Sequence, residues 1–296
     1  MLSMRIRIAL LLCLSMATVA HAQAIVREAV PLPAIPAILD LFKHYQMVGL
    51  GEGPHGNKEG HLFRLALVRD PRFPSLVNDI LVESGSARYQ AEMDRYIAGE
   101  AVPRQQLRRA WEDTTNPGTN WDKPMYEEFF TAVRNVNATL PAERKLRVLL
   151  GDPPIAWESI RSRADLRRWN MQRDAHAGAV LRRESFAKGR KVLAIYGDGH
   201  FQGRGFKPAS LTNIVEREKV KLFTISTRYG DLIKLQPSVA SWKTPATMTL
   251  IPPGLCRDAD YMKMRLARLA ITSARTNSSD PAGSLRKLCA DLTGPR

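Results

Sequence analysis

Six residues in this chain combine the side chains and settings that acid–base or ligand chemistry needs. Glu52 and His55 lie in Gly51-Glu52-Gly53-Pro54-His55-Gly56, and Glu83 follows the apolar run Ile80-Leu81-Val82. Asp152 lies in Gly151-Asp152-Pro153-Pro154, and Asp198 and His200 lie in Gly197-Asp198-Gly199-His200. Imidazole titrates near neutral pH, so His55 can act as a general base, and Glu52 can orient its ring or share a metal. A carboxylate that closes an apolar run is costly unless it is paired or ligating. Glu83 therefore reads as a base, an orienting group or a metal ligand. His200 can stabilise a developing oxyanion or bind a metal. Each residue also has an ordinary alternative: a surface histidine, a glutamate that caps the next helix, or a Gly-Asp-Pro-Pro turn. Arg88, one turn beyond Glu83, can clamp an anionic group. Arg173 can do the same or pair with Asp174, while Asp152 and Asp198 complete the substrate-binding candidates.

These groups need a frame that brings them together. Apolar runs at 47–51, 76–83, 146–150, 191–196 and 222–227 read as strands. Helical spacing covers 37–45, 58–69, 87–98, 103–111, 126–138 and 211–218, and one long helix over 162–187 is expected to carry Trp169, Arg173, His176 and Val180 on one face. Asn57 is a plausible N-cap for the helix that begins at Lys58. Late strands at 247–251 and 261–264 and a last helix at 284–292 complete the pattern, and residues 23–36 read as an irregular lead-in arm. Alternating strands and helices predict an α/β fold with a mostly parallel sheet, helices on both faces and a helical insertion at about residues 100–140. Ligands bind such sheets beyond the carboxyl ends of the strands. All six residues would then face one edge, which is stronger evidence than any of them alone.

The first 22 residues read as a signal peptide. Arg5 and Arg7 precede an apolar run that ends at Ala20-His21-Ala22, a small-x-small cleavage pattern. The run is shorter than the roughly 20 apolar residues a spanning helix needs. No other stretch predicts a membrane span. The rest, 23–296, reads as a single domain of a periplasmic or secreted protein. A composition of 44% hydrophobic and 25% charged residues excludes a disordered chain. The net charge of +15, which falls by the two charges of Arg5 and Arg7 when the signal is cleaved, reads first as solvated helix faces such as 104–109 and 161–168, and otherwise suits anionic envelope polymers, lipid headgroups or acidic substrates. Nucleic acid is not expected, since no binding motif appears. Beyond the signal only Cys256 and Cys289 remain, and an oxidising compartment makes them either one disulfide or two buried thiols.

The segment Gly49-Leu50-Gly51-Glu52-Gly53-Pro54-His55-Gly56-Asn57-Lys58-Glu59 resembles the opening motif of the erythromycin esterase family. Glu83, the helix ending Tyr96–Gly99, and Arg173-Asp174 fit the same pattern. Tyr196-Gly197-Asp198-Gly199-His200 is similar to the later histidine motif, in the Gly-x-x-His form of the related Tiki/TraB and ChaN-type haem-uptake proteins. Gly197 and Asp198 stand where esterase-type members carry His and Asn. The resemblance covers roughly residues 47–226. It implies an erythromycin esterase/ChaN-like α/β fold and a hydrolytic site in which His55 activates water while Glu83 and His200 assist.

The sequence thus supports an exported hydrolase acting on an ester, lactone or amide of small-molecule or envelope origin. It needs no cofactor in the esterase reading. No Gly-x-Ser-x-Gly elbow occurs, so a serine nucleophile is not expected. A divalent-metal variant would use Glu52, His55, Glu83 and His200. The alternatives are a haem- or metal-binding envelope protein of the ChaN/Tiki type without turnover, or an interaction protein on an enzyme fold.

Overall fold

The computed structural model describes residues 30–116, 121, 123–201, 209–225, 246–249 and 269–272. The signal segment, both cysteines beyond it, the 261–264 strand and the 284–292 helix lie outside these residues. The strands are β1 (Val30–Leu32), β2 (Met47–Glu52), β3 (Asp79–Ser86), β4 (Arg147–Asp152), β5 (Val192–Gly197), β6 (Leu222–Ile225), β7 (Ala246–Thr249) and β8 (Leu269–Thr272). Five of them form one sheet in the order β4-β3-β5-β2-β6. Every pairing in that sheet is parallel, so all five carboxyl ends lie along one edge. A second sheet, β1-β7-β8, is antiparallel. The sequence reading has no counterpart for it beyond the strand at 247–251, because three- and four-residue strands carry too little periodicity to detect.

The helices are α1 (Ala34–Leu41), α2 (Lys58–Arg69), α3 (Phe73–Leu76), α4 (Gln90–Ala98), α5 (Arg104–Glu112), α6 (Pro124–Ala138), α7 (Arg163–Met171), α8 (Arg173–Glu184) and α9 (Leu211–Arg217). Alternate strand residues point to opposite faces of a sheet. Here Val48, Leu50, Ile80, Val82, Val148 and Leu150 join a core with α1, α2, α4, α5 and α6. Met47, Leu81, Leu149, Val192 and Ala194 join a second core with α8 and α9. Leu81 and Leu149 are fully buried, and each such side chain contributes about 2 kcal/mol through burial. Helices therefore cover both faces. The stretch read as an insertion holds α5 and all of α6, and both are part of the first core. Among the described residues no helix is long and apolar enough to cross a membrane.

Two details differ from the sequence reading and shape the site. The helix expected over 162–187 is two helices that meet at Gln172. α7 buries no residue, whereas α8 buries Asp174, Ala177, Gly178, Val180 and Leu181. Trp169 therefore does not continue the face of Arg173, His176 and Val180. The break lets α8 turn Arg173 and Asp174 toward the strand ends without burying the arginine-rich α7. In addition, β3 does not stop at Glu83 but continues to Ser86, and its register with β4 shifts between Val82 and Ser86. A bulge re-aims side chains locally, and Glu83 sits inside this one.

Candidate active site

β2, β3 and β5 are neighbours, and their carboxyl ends carry Glu52, Glu83 and Gly197. The loop after β2 brings His55 back over this edge. Asn57 caps α2 by accepting from the Gly60 N–H at 2.7 Å, as expected for an N-cap. Gly56 adopts φ +78°, and a Cβ there would run into the Lys123 side chain. Only glycine combines that backbone with that contact at low cost.

His55 is half-buried, and its Nδ1 faces Glu52 Oε2 at 3.2 Å. A carboxylate only accepts, so Nδ1 carries the proton and Nε2 keeps its lone pair. No described residue hydrogen-bonds Nε2. Burial works against the charged imidazolium, but the Glu52 hydrogen bond and the nearby Glu83 charge outweigh it and raise the pKa above 6.5. Glu52 is itself buried. Its Oε1 accepts from Tyr126 Oη at 3.2 Å and faces Arg64 Nη2 at 3.2 Å. Burial, then the Glu52 charge, drives the Tyr126 phenol well up, so it stays a donor. Trp121 stacks edge-on against His55 with ring centroids 4.4 Å apart, and against Tyr126 at 5.3 Å. Lys123 Nζ donates to the His55 carbonyl at 3.1 Å.

A chain of buried charges lies beside this base. Glu83 Oε2 accepts from the Gly197 N–H at 2.6 Å. Its Oε1 accepts from Arg173 Nη2 at 2.5 Å and faces His200 Nε2 at 3.2 Å. His200 Nδ1 meets the Asp174 carboxylate. Arg173 Nε donates to Asp152 Oδ1 at 3.0 Å. Asp152 also accepts from the Thr115 N–H at 2.6 Å and the Thr115 hydroxyl at 2.7 Å. Burial alone would raise the Glu83 pKa, but His200, Arg173 and the Gly197 amide together pull it well below the usual carboxylate range. His200 answers in kind: burial opposes its charge, yet Glu83 and Asp174 raise its pKa to about 9. Asp152 is pushed upward by burial, an effect that Arg173 and Thr115 only partly offset.

The two histidines thus sit in different surroundings. His200 offers both ring nitrogens to carboxylates, which favours its charged form. Among the described residues His55 has a partner on Nδ1 alone. Gly197 stands at their meeting point. A Cβ there would lie 3.2 Å from Glu83 Oε2, 3.4 Å from His55 Cε1 and 3.8 Å from His200 Cδ2.

The structure brings Glu52, His55, Glu83, Asp152, Arg173 and His200 together. Asp198 packs against Gly51 at the end of β2. Arg88 is not at this cluster: its guanidinium forks onto Glu158, with contacts of 2.8 and 2.6 Å. Arg173, the other arginine candidate, lies in the cluster, where it pairs with Glu83 and Asp152. His176 is half-buried with no partner for Nε2. Among the described residues no three His, Cys, Asp or Glu side chains gather as a metal-binding group, and both His200 nitrogens already face carboxylates. Haem binding needs an axial ligand, and of these two histidines only His55 keeps an open nitrogen to supply one.

Arg64, Thr115 and Lys123 were missed as site residues. Asp174 was weighed only as a packing partner for Arg173, but it holds His200. Arg64 carried a usable signal: with His61, Leu65 and Val68 it falls on the buried stripe of α2, where a lone arginine demands a partner. Thr115 and Lys123 carried none, since their role depends on how the α5–α6 connection crosses the strand ends.

No protein-family model matches the chain, and no curated protein matches it, so the likeness to erythromycin esterases rests on the motifs alone. Among solved structures, the chain is similar to ChaN of Campylobacter jejuni, described with cofacially bound haem, at 14% identity and TM-score 0.43 over 67% of this chain and 87% of that one. It is similar to the type III effector HopBA1 at 14% identity and TM-score 0.44, over 85% of this chain and 98% of that one. A structure described as bacterial protein toxins matches at 18% identity and TM-score 0.42 over 66% of this chain. The chain spans only 36% of that toxin's length.

Proposed function

We propose that this protein is a hydrolase in which His55 activates a water for attack on an ester, lactone or amide carbonyl. The observation that carries this reading is the division of labour between the two histidines. One imidazole is backed by a carboxylate on Nδ1 and open at Nε2. The other is held as a cation by two carboxylates. Nε2 of His55 takes a proton from water as it attacks, and Glu52 stabilises the imidazolium that forms. The proton then passes from Nε2 to the leaving oxygen or nitrogen. Arg173, with Nε and Nη2 engaged by Asp152 and Glu83, presents Nη1 to the oxyanion. Glu83 and His200 act as positioning residues that hold Arg173 and the Gly197 backbone. The N-terminal signal pattern supports an exported protein, and sequencing the mature N-terminus checks it by finding Gln23 first.

The test is turnover of a panel of nitrophenyl esters, lactones and peptides by the purified mature protein. His55→Gln should lower kcat/KM by about 10²–10⁴-fold while leaving the circular dichroism spectrum unchanged. The pH profile should be a bell. His55 must be neutral to act, and its pKa is raised, so activity climbs through a pH above 6.5. The Glu83–His200 pair needs its proton, so activity falls as pH passes about 9. Equal turnover by wild type and His55→Gln would overturn the assignment.

A further inference from the structure

The described acids and cations of this site are not equally engaged. Glu52 is held by His55, Arg64 and Tyr126. Glu83 is held by Arg173, His200 and the Gly197 amide. Asp152 is held by Thr115 and Arg173, and Asp174 faces His200. Asp198 lies against Gly51. Two cations beside His55 keep N–H groups that no described residue accepts. Lys123 Nζ makes one hydrogen bond, to the His55 carbonyl, and has three donors. Arg173 uses Nε and Nη2, leaving Nη1, and 17% of its side chain stays exposed. Both lie close to the base. Lys123 holds the His55 loop directly, and the Arg173 charge acts on the His55 ring.

A site whose described acids are matched and whose described cations are not favours a ligand that brings negative charge. The whole chain leans the same way, with a net charge of +15. We infer that the site takes an anionic ester or amide, with Lys123 anchoring a permanent negative group of the substrate beside His55 while Arg173 faces the reacting carbonyl. This deepens the hydrolase reading and rests on it for the word substrate. Attraction to the anionic group is independent of turnover, so the two ideas can fail separately.

The experiment uses a matched pair of probes. Mono-4-nitrophenyl glutarate carries a free carboxylate, and 4-nitrophenyl butyrate is a near-neutral counterpart. The mature protein should prefer the glutarate in kcat/KM by about tenfold or more, the scale of one charge-assisted hydrogen bond. The preference should shrink as salt rises from about 0.05 to about 0.5 M, the range over which screening becomes strong. Lys123→Gln should reduce the ratio most of the way to unity, and Lys123→Arg should retain it. Calorimetric titration with monomethyl glutarate and dimethyl glutarate gives the binding readout: the monoanion should bind about tenfold tighter, and Lys123→Gln should remove the difference. Binding of the monoanion without any turnover would keep the anion site and sink the hydrolase. Turnover of both esters at equal kcat/KM, or a preference that Lys123→Gln leaves intact, would overturn the anion anchor and keep the hydrolase.

Discussion

The phenol of Tyr196 is fully buried and has no hydrogen-bond partner among the described residues. It lies over Gly151, where any Cβ would meet its oxygen. Burial first, then the Glu83 charge, raises its pKa far above 10.0, so it never ionises. A buried hydroxyl that finds no partner costs stability, whereas removing it cleanly does not. Tyr196→Phe should therefore leave the melting temperature unchanged or raise it. A loss of more than about 1 kcal/mol in chemical denaturation would mean that an ordered water bridges the hydroxyl to the Asp152–Arg173 pair. At this scale the sequence was informative about identity but not about role. His55 and Glu52 were legible from spacing within one loop. Glu83 and His200 were legible as strand-end groups, with base, orienting and metal-ligand readings all open. Their partners fill every polar atom they have, and those partners come from β3, α8, the end of β5 and the turn after it, far apart in the chain.

Gly197 closes β5 where Glu83, His55 and His200 meet. Alanine there would put a methyl group 3.2 Å from the Glu83 carboxylate, closer than a comfortable contact in a site with no slack. Gly197→Ala should lower kcat by about tenfold or more while changing KM little, since the distance error falls on the reacting groups and not on binding. Steady-state kinetics check it, and unchanged kcat would show that Glu83 moves freely. The expected bounds were good for elements with strong periodicity: α2 runs over Lys58–Arg69, as its apolar spacing and Asn57 cap predict. They were poor where tertiary contacts override local pattern. The break at Gln172 and the bulge between Val82 and Ser86 follow from burying Asp174 and Glu83 beside their partners. No Gly or Pro marks the break at Gln172, whereas Gly85 lies inside the bulge and is a signal for it in the sequence.

Across the whole molecule, the charge chain from Asp174 through His200, Glu83 and Arg173 to Asp152 ties α8 to β3, β4 and β5. It links folding to pH. The His200 pKa is raised from 6.5 to about 9 in the fold. Its contribution is fully present below the unfolded value and is lost as pH rises through the folded one. Unfolding free energy should thus decline between 6.5 and about 9, by up to about 3 kcal/mol. His200→Gln should flatten that decline. Urea melts across this range check it, and an equally steep decline in the variant would assign the titration elsewhere. The sequence by itself determined that the chain alternates strands and helices and that the sheet is largely parallel, and it singled out candidate groups at the strand ends, because periodicity and strand-end residues are local properties. Only the tertiary structure decided the strand order β4-β3-β5-β2-β6, which sets Glu52, Glu83 and Gly197 side by side. It also decided the surroundings of the two histidines, Glu52 beside His55 and Glu83 with Asp174 around His200, because a proton affinity depends on neighbours that only folding supplies.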